Sequence, residues 1–311
     1  MEKFYTENKI SVDQSKPSML LSLTALMNDI SLWALGGTGI IAGLLGSMLG
    51  VGGGLIIVPI LTLALHLPIQ IAICSSLVAI VANACTAAGL YTKSGFTNIK
   101  LGLLLETTTI PGAILGGFAA AYMPAAVLSA LFGLVLLYVG YTMVAGNYLA
   151  SDSADEVAKN SDTNNSRLSK TLVDSYQDQT LEKPVTYIVN RTTEGLGAGF
   201  GAGVLSSLLG IGGGIIKVPV MHLVMGVPMK AAIATSTFMI ALTAATGAFI
   251  YQHFGHMQPF VIAPLVIGTV IGSSAGVQLT KKIHGDWLRR LFGVFLFLVA
   301  VLMFLKTANV L

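Results

Sequence analysis

The chain has 311 residues, of which 54% are hydrophobic and only 10% are Asp, Glu, Lys or Arg. Soluble domains carry about 25% charged residues, so a water-soluble globule is excluded. Seven charged residues lie in 1–29 and thirteen in 151–194, which leaves two nearly uncharged apolar blocks of the kind polytopic membrane proteins have.

Residues 1–29 form a polar tail of mixed charge, and no basic region leads into a cleavage site, so no removable signal peptide is expected. A first membrane repeat over 30–149 reads as five apolar segments: Ile30–Leu49, Leu55–Leu67, Ile69–Tyr91, Ile99–Tyr122 and Ala125–Leu149. Cys74 and Cys85 share the third of these. On a helix they stand about 16 Å apart, beyond disulfide reach. The stretch 150–187 is polar, rich in Ser, Asp and Asn between Ser151 and Thr186, and reads as a flexible linker. A second membrane repeat over 188–311 follows, with segments Ile188–Leu209, Ile215–Val227, Ala231–Tyr251, Pro259–Leu279 and Trp287–Leu305.

The second block repeats the first in sequence as well as in rhythm. Residues Gly43–Pro59 align with Gly203–Pro219, with eleven of seventeen positions identical at an offset of 160. Pro68/Pro228, Ser76/Ser236, Tyr91/Tyr251 and Leu131–Gly133/Leu291–Gly293 keep that offset. Two glycine-rich helices that merely share composition would not hold one register so far.

An odd number of segments per repeat would set the halves antiparallel. In the first repeat Lys93 and Lys100 flank the loop after the third segment, and the next loop has no cation. The second repeat reverses this: its corresponding first loop carries only Gln252, His253 and His256, and Lys281, Lys282, Arg289 and Arg290 surround the next. Positive charge marks the cytoplasmic side, so the expectation is an inverted repeat with the linker and Lys230 inside and both termini outside.

The second segment of each repeat has thirteen residues, about 20 Å of helix against a hydrocarbon core of about 30 Å. Each is expected to be half of a helical hairpin or broken helix that bends at its glycine cluster near mid-membrane. A tilted full crossing is the bland alternative.

The clusters are Gly50-Val-Gly52-Gly53-Gly54 and Gly210-Ile-Gly212-Gly213-Gly214. Such turns break a helix and leave unpaired N–H groups at the start of the next, where the helix dipole favours an anion. Two of them on antiparallel halves would converge on one substrate site. The competing reading is close helix packing, which Gly39/Gly43 and Gly199/Gly203 suggest. No P-loop lysine follows either turn, and no strand–helix alternation surrounds them.

Lys217 follows the second cluster, where the first repeat has Ile57. At the midplane it would add a full positive charge to the anion site; near the surface it would only snorkel. Glu106 is an acid inside an apolar segment and the candidate for coupling. It is open to pairing with Lys217, to relaying a proton, or to sitting in a hydrated vestibule. Ser75, Ser76, Thr235 and Ser236 open the third segments, and their hydroxyls could face the glycine turns; serines and threonines in membrane helices mostly bond their own backbone. Asn83 needs a partner in an apolar helix and serves either substrate or interhelical contact. His222 reads as a packed residue. His253 and His256 have ligand-like spacing without an acid or thiol nearby, so no metal is expected.

Paired halves, each with a Gly-x-Gly-Gly-Gly turn running into Ile/Leu and Val-Pro, resemble the TauE/SafE sulfite-exporter family over both membrane blocks. That resemblance implies a cell-membrane permease for sulfite, sulfoacetate or related sulfur-containing anions. Members commonly have seven to nine spanning segments, so ten apolar segments fit only if the short ones belong to broken helices. The long linker departs from the family's usual pattern.

The function expected is a secondary transporter, in the export direction, of sulfite or an organosulfonate. The alternatives are a carrier of a non-sulfur anion such as a carboxylate and, from a different class, a membrane-embedded enzyme or assembly factor. Against the enzyme, there is no carboxylate dyad, nucleophile elbow or metal-ligand cluster. No cofactor is expected. The expected partners are a small anionic substrate and the lipid bilayer, with no nucleic acid; a homodimer is left open.

Overall fold

The computed structural model describes residues 32–145, 173–176, 185–280 and 286–307. In chain order the helices are α1 Leu32–Leu49, α2 Gly54–Pro59 continued by a π turn over Ile60–Ala64, α3 Ile69–Lys93, α4 Ile99–Tyr122 and α5 Ala125–Ala145. Two short strands follow, β1 Val173–Tyr176 and β2 Val185–Ile188. Then come α6 Thr192–Leu209, α7 Gly214–Pro219 continued by a π turn over Val220–Val224, α8 Met229–His253, α9 Pro259–Thr280 and α10 Asp286–Thr307. Among the described residues five helices (α1, α3, α4, α8 and α9) are long and apolar enough to cross a bilayer. The chain is an all-α multi-pass membrane protein.

The tail over 1–29, most of the 150–187 linker, and Lys281 and Lys282 lie outside the described residues. The end of the linker departs from the flexible stretch expected there. β1 and β2 pair antiparallel, with Val173 opposite Ile188 and Tyr176 opposite Val185. Burial alternates at the ribbon's end, as a strand requires: Tyr187 and Val189 are buried beside Leu101, Met225 and Val227, while Ile188 is exposed. The helix that follows starts at Thr192 rather than at Ile188.

Local chemistry explains the helix ends. Pro68 and Pro228 sit in extended backbone just before α3 and α8, where a proline costs no helical hydrogen bond. Asn98 caps α4, its side-chain oxygen accepting the Leu101 N–H at 2.9 Å. Pro59 and Pro219 lie inside α2 and α7, and the helix widens directly after each. A proline ring crowds the preceding turn and lacks an N–H, and a π turn absorbs the mismatch.

Packing between the halves is reciprocal. α1 lies on α9, and α4 on α6, with glycines against backbone. A Cβ at Gly43 would overlap the Thr269 carbonyl, and one at Gly203 the Thr109 carbonyl. Gly272 and Gly112 meet the carbonyls of Ile40 and Phe200 in the same manner. Each contact recurs 160 residues away, so every first helix packs on the fourth helix of the other half. Close backbone approach through small residues is the usual way membrane helices associate without a hydrophobic drive.

The contact registers also give the helix directions. Gly268 and Gly272 of α9 meet Gly36 and Ile40 of α1, so these two helices run parallel. Thr269 and Ser273 of α9 donate to the carbonyls of Ala79 and Asn83, so α3 runs parallel to them too. α2 must therefore turn back. Gly53 packs on Ala42 and Gly54 on Ile80, midway along α3, while the far end of α2 joins the start of α3 through residues 65–68. α1 and α2 form a hairpin, not a bent continuous helix. By contrast α3 and α8 run antiparallel: Leu77 meets Gly247, and Ala87 and Tyr91 cluster with Ala234.

Candidate functional site

The Gly50–Gly54 turn closes tightly because Val51 and Gly52 both donate to the Gly46 carbonyl. Gly53 and Gly213 hold φ values of 88° and 74°, a left-handed conformation that a β-branched residue adopts only with strain. The two turns touch. A Cβ on Gly54 would overlap the Gly210 carbonyl, and a Cβ on Gly214 would overlap the Gly50 carbonyl. Ile80 and Ile240, from the middles of α3 and α8, both pack on Gly52 and Gly212. The glycine clusters thus meet where the two antiparallel helices cross.

Side chains of the third helices tie this junction together. Ser76 Oγ donates to the Gly210 carbonyl at 2.9 Å, and Ser236 Oγ to the Gly50 carbonyl at 3.3 Å. Asn83 Nδ2 donates to the Gly52 carbonyl at 2.9 Å. What remains unpaired is informative. Among the described residues no acceptor pairs with the amides of Gly53, Gly54 and Leu55, or with those of Gly213, Gly214 and Ile215. The buried Asn83 Oδ1 and Ser206 Oγ also lack partners, and Ser206 lies beside Gly213. Buried polar groups are nearly always satisfied, so this cluster has unused capacity, chiefly for an acceptor of hydrogen bonds.

Lys217, on the first turn of α7, is 3% exposed, and Glu106, about a third of the way along α4, is 2% exposed. Lys217 Nζ donates to Glu106 Oε1 at 2.9 Å and to Thr243 Oγ1 at 2.6 Å. Thr243 Oγ1 also stands 2.8 Å from Glu106 Oε1 and 3.1 Å from the Met239 carbonyl, with one hydrogen to give to either. Among the described residues Glu106 Oε2 has no hydrogen-bond partner. Two charges taken out of water survive only when paired and hydrogen-bonded, and this pair meets that condition on one carboxylate oxygen. Of the three roles open to Glu106, the structure shows the pairing with Lys217, and Lys217 is not at a surface to which it could snorkel.

The other sequence candidates fall in different places. Thr235 does not face a glycine turn; its Oγ1 accepts the N–H of Asn98 at 3.0 Å at the start of α4. Ser75 is fully buried and its hydroxyl has no hydrogen-bond partner among the described residues. His222 Nδ1 lies 3.0 Å from the Val227 carbonyl, a packed histidine. Both cysteines are free. Sequence reasoning missed Thr243 and Ser206. The signal for Thr243 was available, because it stands 160 residues after Asn83, which the repeat should have flagged.

Comparison with known proteins agrees with this architecture. The sulfite exporter TauE/SafE family matches residues 35–303. A probable membrane transporter protein of Bacillus subtilis, YunE, is 29% identical over 268 residues, covering 84% of this chain and 93% of that protein. Another from Methanocaldococcus jannaschii, MJ0441, is 24% identical and covers 86% of this chain and 93% of its own. Sulfite exporter TauE/SafE family protein 6 of Arabidopsis thaliana is 35% identical over 104 residues, 31% of this chain and 23% of that one. No solved structure matches significantly. With most of both membrane blocks inside the matched region, the chain belongs to the sulfite exporter TauE/SafE family of membrane transporters.

Proposed function

We propose that the protein is a secondary transporter in the cell membrane, the inner membrane where there are two, that exports a small sulfur-containing anion such as sulfite or an organosulfonate. The substrate sits at mid-membrane between the two Gly-x-Gly-Gly-Gly turns, within reach of Gly52–Gly54, Gly212–Gly214, Asn83 and Lys217. The observation that carries this reading is the junction of the turns. Six backbone amides without acceptors gather there at the starts of two short helices, and an oxyanion supplies the acceptors they lack.

The transporter consists of two inverted repeats. What supports this is the antiparallel crossing of α3 and α8 together with charge placement. Lys93 ends α3, Lys100 lies in the first turn of α4, and Lys230 begins α8, so opposed helices bring these cations to one face, the cytoplasmic one. His253 ends α8 at the opposite face. No ATP-binding motif is present in the sequence. Export of an anion runs down an inside-negative potential worth about 2.3 kcal/mol per charge at 100 mV.

Flux of sulfite, thiosulfate, sulfoacetate and acetate into proteoliposomes tests the reading. Sulfur anions are expected to cross and acetate to lag. Gly213→Val places a branched side chain at positive φ beside Ser206 and is expected to stop flux. A stably folded Gly213→Val protein that moves sulfite at the native rate overturns the assignment. Cysteine labelling in cells tests the topology: residues 151–186 should label from the cytoplasm and residues 254–258 from outside.

A further inference from the structure

The buried Glu106–Lys217–Thr243 group joins the two halves and is not duplicated by the repeat, whose related positions hold Val266, Ile57 and Asn83, and the packing role of the glycine turns does not require it. We infer that this group is a proton switch: each anion that binds Lys217 does so together with one proton taken up by Glu106 at Oε2. The inference rests on the transporter reading above and names its coupling ion.

The argument starts from charge. With Lys217 and Glu106 paired the group is neutral, and both side chains are almost wholly removed from water. A substrate anion that drew Lys217 away would leave the Glu106 carboxylate uncompensated in a low-dielectric site, which is strongly unfavourable. A proton on Glu106 removes that charge. The O–H bond forms at Oε2, the oxygen without a partner. The Lys217 N–H···Oε1 hydrogen bond breaks, an N–H···anion bond replaces it, and Lys217 stays an ammonium throughout. When the anion leaves, Glu106 returns its proton to water and the pair closes again.

Thr243 is built for this exchange. Its hydroxyl accepts from Lys217 and lies within reach of two acceptors, Glu106 Oε1 and the Met239 carbonyl. When Glu106 is ionised the hydroxyl hydrogen points to the carboxylate. When Glu106 is protonated it turns to the carbonyl, so no buried hydroxyl is stranded in either state. Thr243 acts here as a positioning residue.

Other ionisable groups stand aside from the pair. Among the described residues α6 carries Glu194 and Arg191 at its exposed start, paired with each other. α8 carries Lys230, Tyr251 and His253 at its ends, and α4 carries Lys100 and Tyr122 at its own. His222 on α7 is held at the Val227 carbonyl, and Tyr187 of β2 meets Asn98. A metal cation is a poor substitute for the proton, because no group of three or more His, Cys, Asp or Glu suited to one occurs among the described residues, and the resident ammonium repels it. For a dianion the loaded carrier moves a net single negative charge, so the membrane potential still favours export; for a monoanion the step is electroneutral.

The test uses purified protein in proteoliposomes holding a trapped pH dye, with isethionate as probe. Its sulfonate carries no titratable proton, so any proton that moves belongs to the protein. Wild type is expected to move one proton with each isethionate, and infrared difference spectra should show a protonated-carboxyl band when isethionate is added. In Glu106→Gln that band is lost, and whatever flux remains carries no protons. Should Glu106→Gln fail to fold with Lys217 left unpaired, the double variant Glu106→Gln with Lys217→Gln removes both charges and is expected to move no protons. Isethionate flux without protons in wild type, or proton coupling retained in either variant, overturns the switch and leaves the transporter standing. If wild type moves neither isethionate nor sulfite, the transporter reading itself fails, and the switch falls with it.

Discussion

At the centre of the molecule the two halves use the same backbone device, with Gly54 seated on the Gly210 carbonyl and Gly214 on the Gly50 carbonyl. A few residues further along they part company. Lys217 and Thr243 of the second half meet Glu106 of the first in a buried ionic cluster, and the positions 160 residues away hold Ile57, Asn83 and Val266. The difference separates two kinds of constraint. Contacts between main chains admit no substitute for glycine in either half, so the frame keeps its symmetry. A charged site needs to exist only once, and a second buried ion pair would add another large desolvation cost, so the chemistry has become one-sided.

The largest expected effect breaks that comparison at its charged end. Glu106→Gln strands the Lys217 ammonium and should destabilise the protein by about 3–5 kcal/mol, read as a drop in thermal unfolding temperature in detergent. Val266→Ala, at the related half-buried position, should cost about 1 kcal/mol. The double variant Glu106→Gln with Lys217→Met should recover most of the loss. Equal effects at Glu106 and Val266 would mean that the asymmetry carries no energetic weight.

The next effect tests the shared frame. Gly54→Ala and Gly214→Ala each put a methyl group into a carbonyl of the other turn and should cost about 1–3 kcal/mol apiece. The two values should agree within about 0.5 kcal/mol, since their surroundings are reciprocal. A clear inequality would show that the turns are not mechanically equivalent.

Making the halves chemically alike sharpens the comparison further. Lys217→Ile combined with Glu106→Val leaves no lone buried charge, so folding should persist. Sulfite affinity should fall at least tenfold, about 1.4 kcal/mol, measured by equilibrium binding to the detergent-solubilised protein. Lys217→Ile alone cannot make this distinction, because it strands Glu106 and confounds binding with stability.

The smallest expected effects lie in the seryl ties. Ser76→Ala and Ser236→Ala each remove one hydrogen bond worth about 1 kcal/mol. The former should cost more, because its bond to Gly210 is 2.9 Å and that of Ser236 to Gly50 is 3.3 Å. Chemical unfolding of both variants under matched conditions reads this directly.

Much of this molecule was legible in one dimension. The membrane class followed from composition, because the bilayer admits long apolar segments and little charge. The repeat and both glycine clusters followed from identity at a fixed offset, and segment length alone argued that Leu55–Leu67 and Ile215–Val227 cannot span. Lys217 and Glu106 stood out because a charge inside an apolar segment is expensive and needs a reason. What they do with each other was not legible. They lie 111 residues apart in the chain, and nothing local says that α7 and α4 bring them within 2.9 Å. The same holds for Thr235, whose hydroxyl is drawn to the start of α4 rather than to a glycine turn, and for the choice of a hairpin over a bent helix. Sequence by itself determined which groups must find partners, since the cost of burying a polar group or charge is a property of the residue and its solvent. Only the tertiary structure decided which partners they find, because interhelical registers come from backbone shape meeting backbone shape, and in this chain those contacts run mostly between one half and the other.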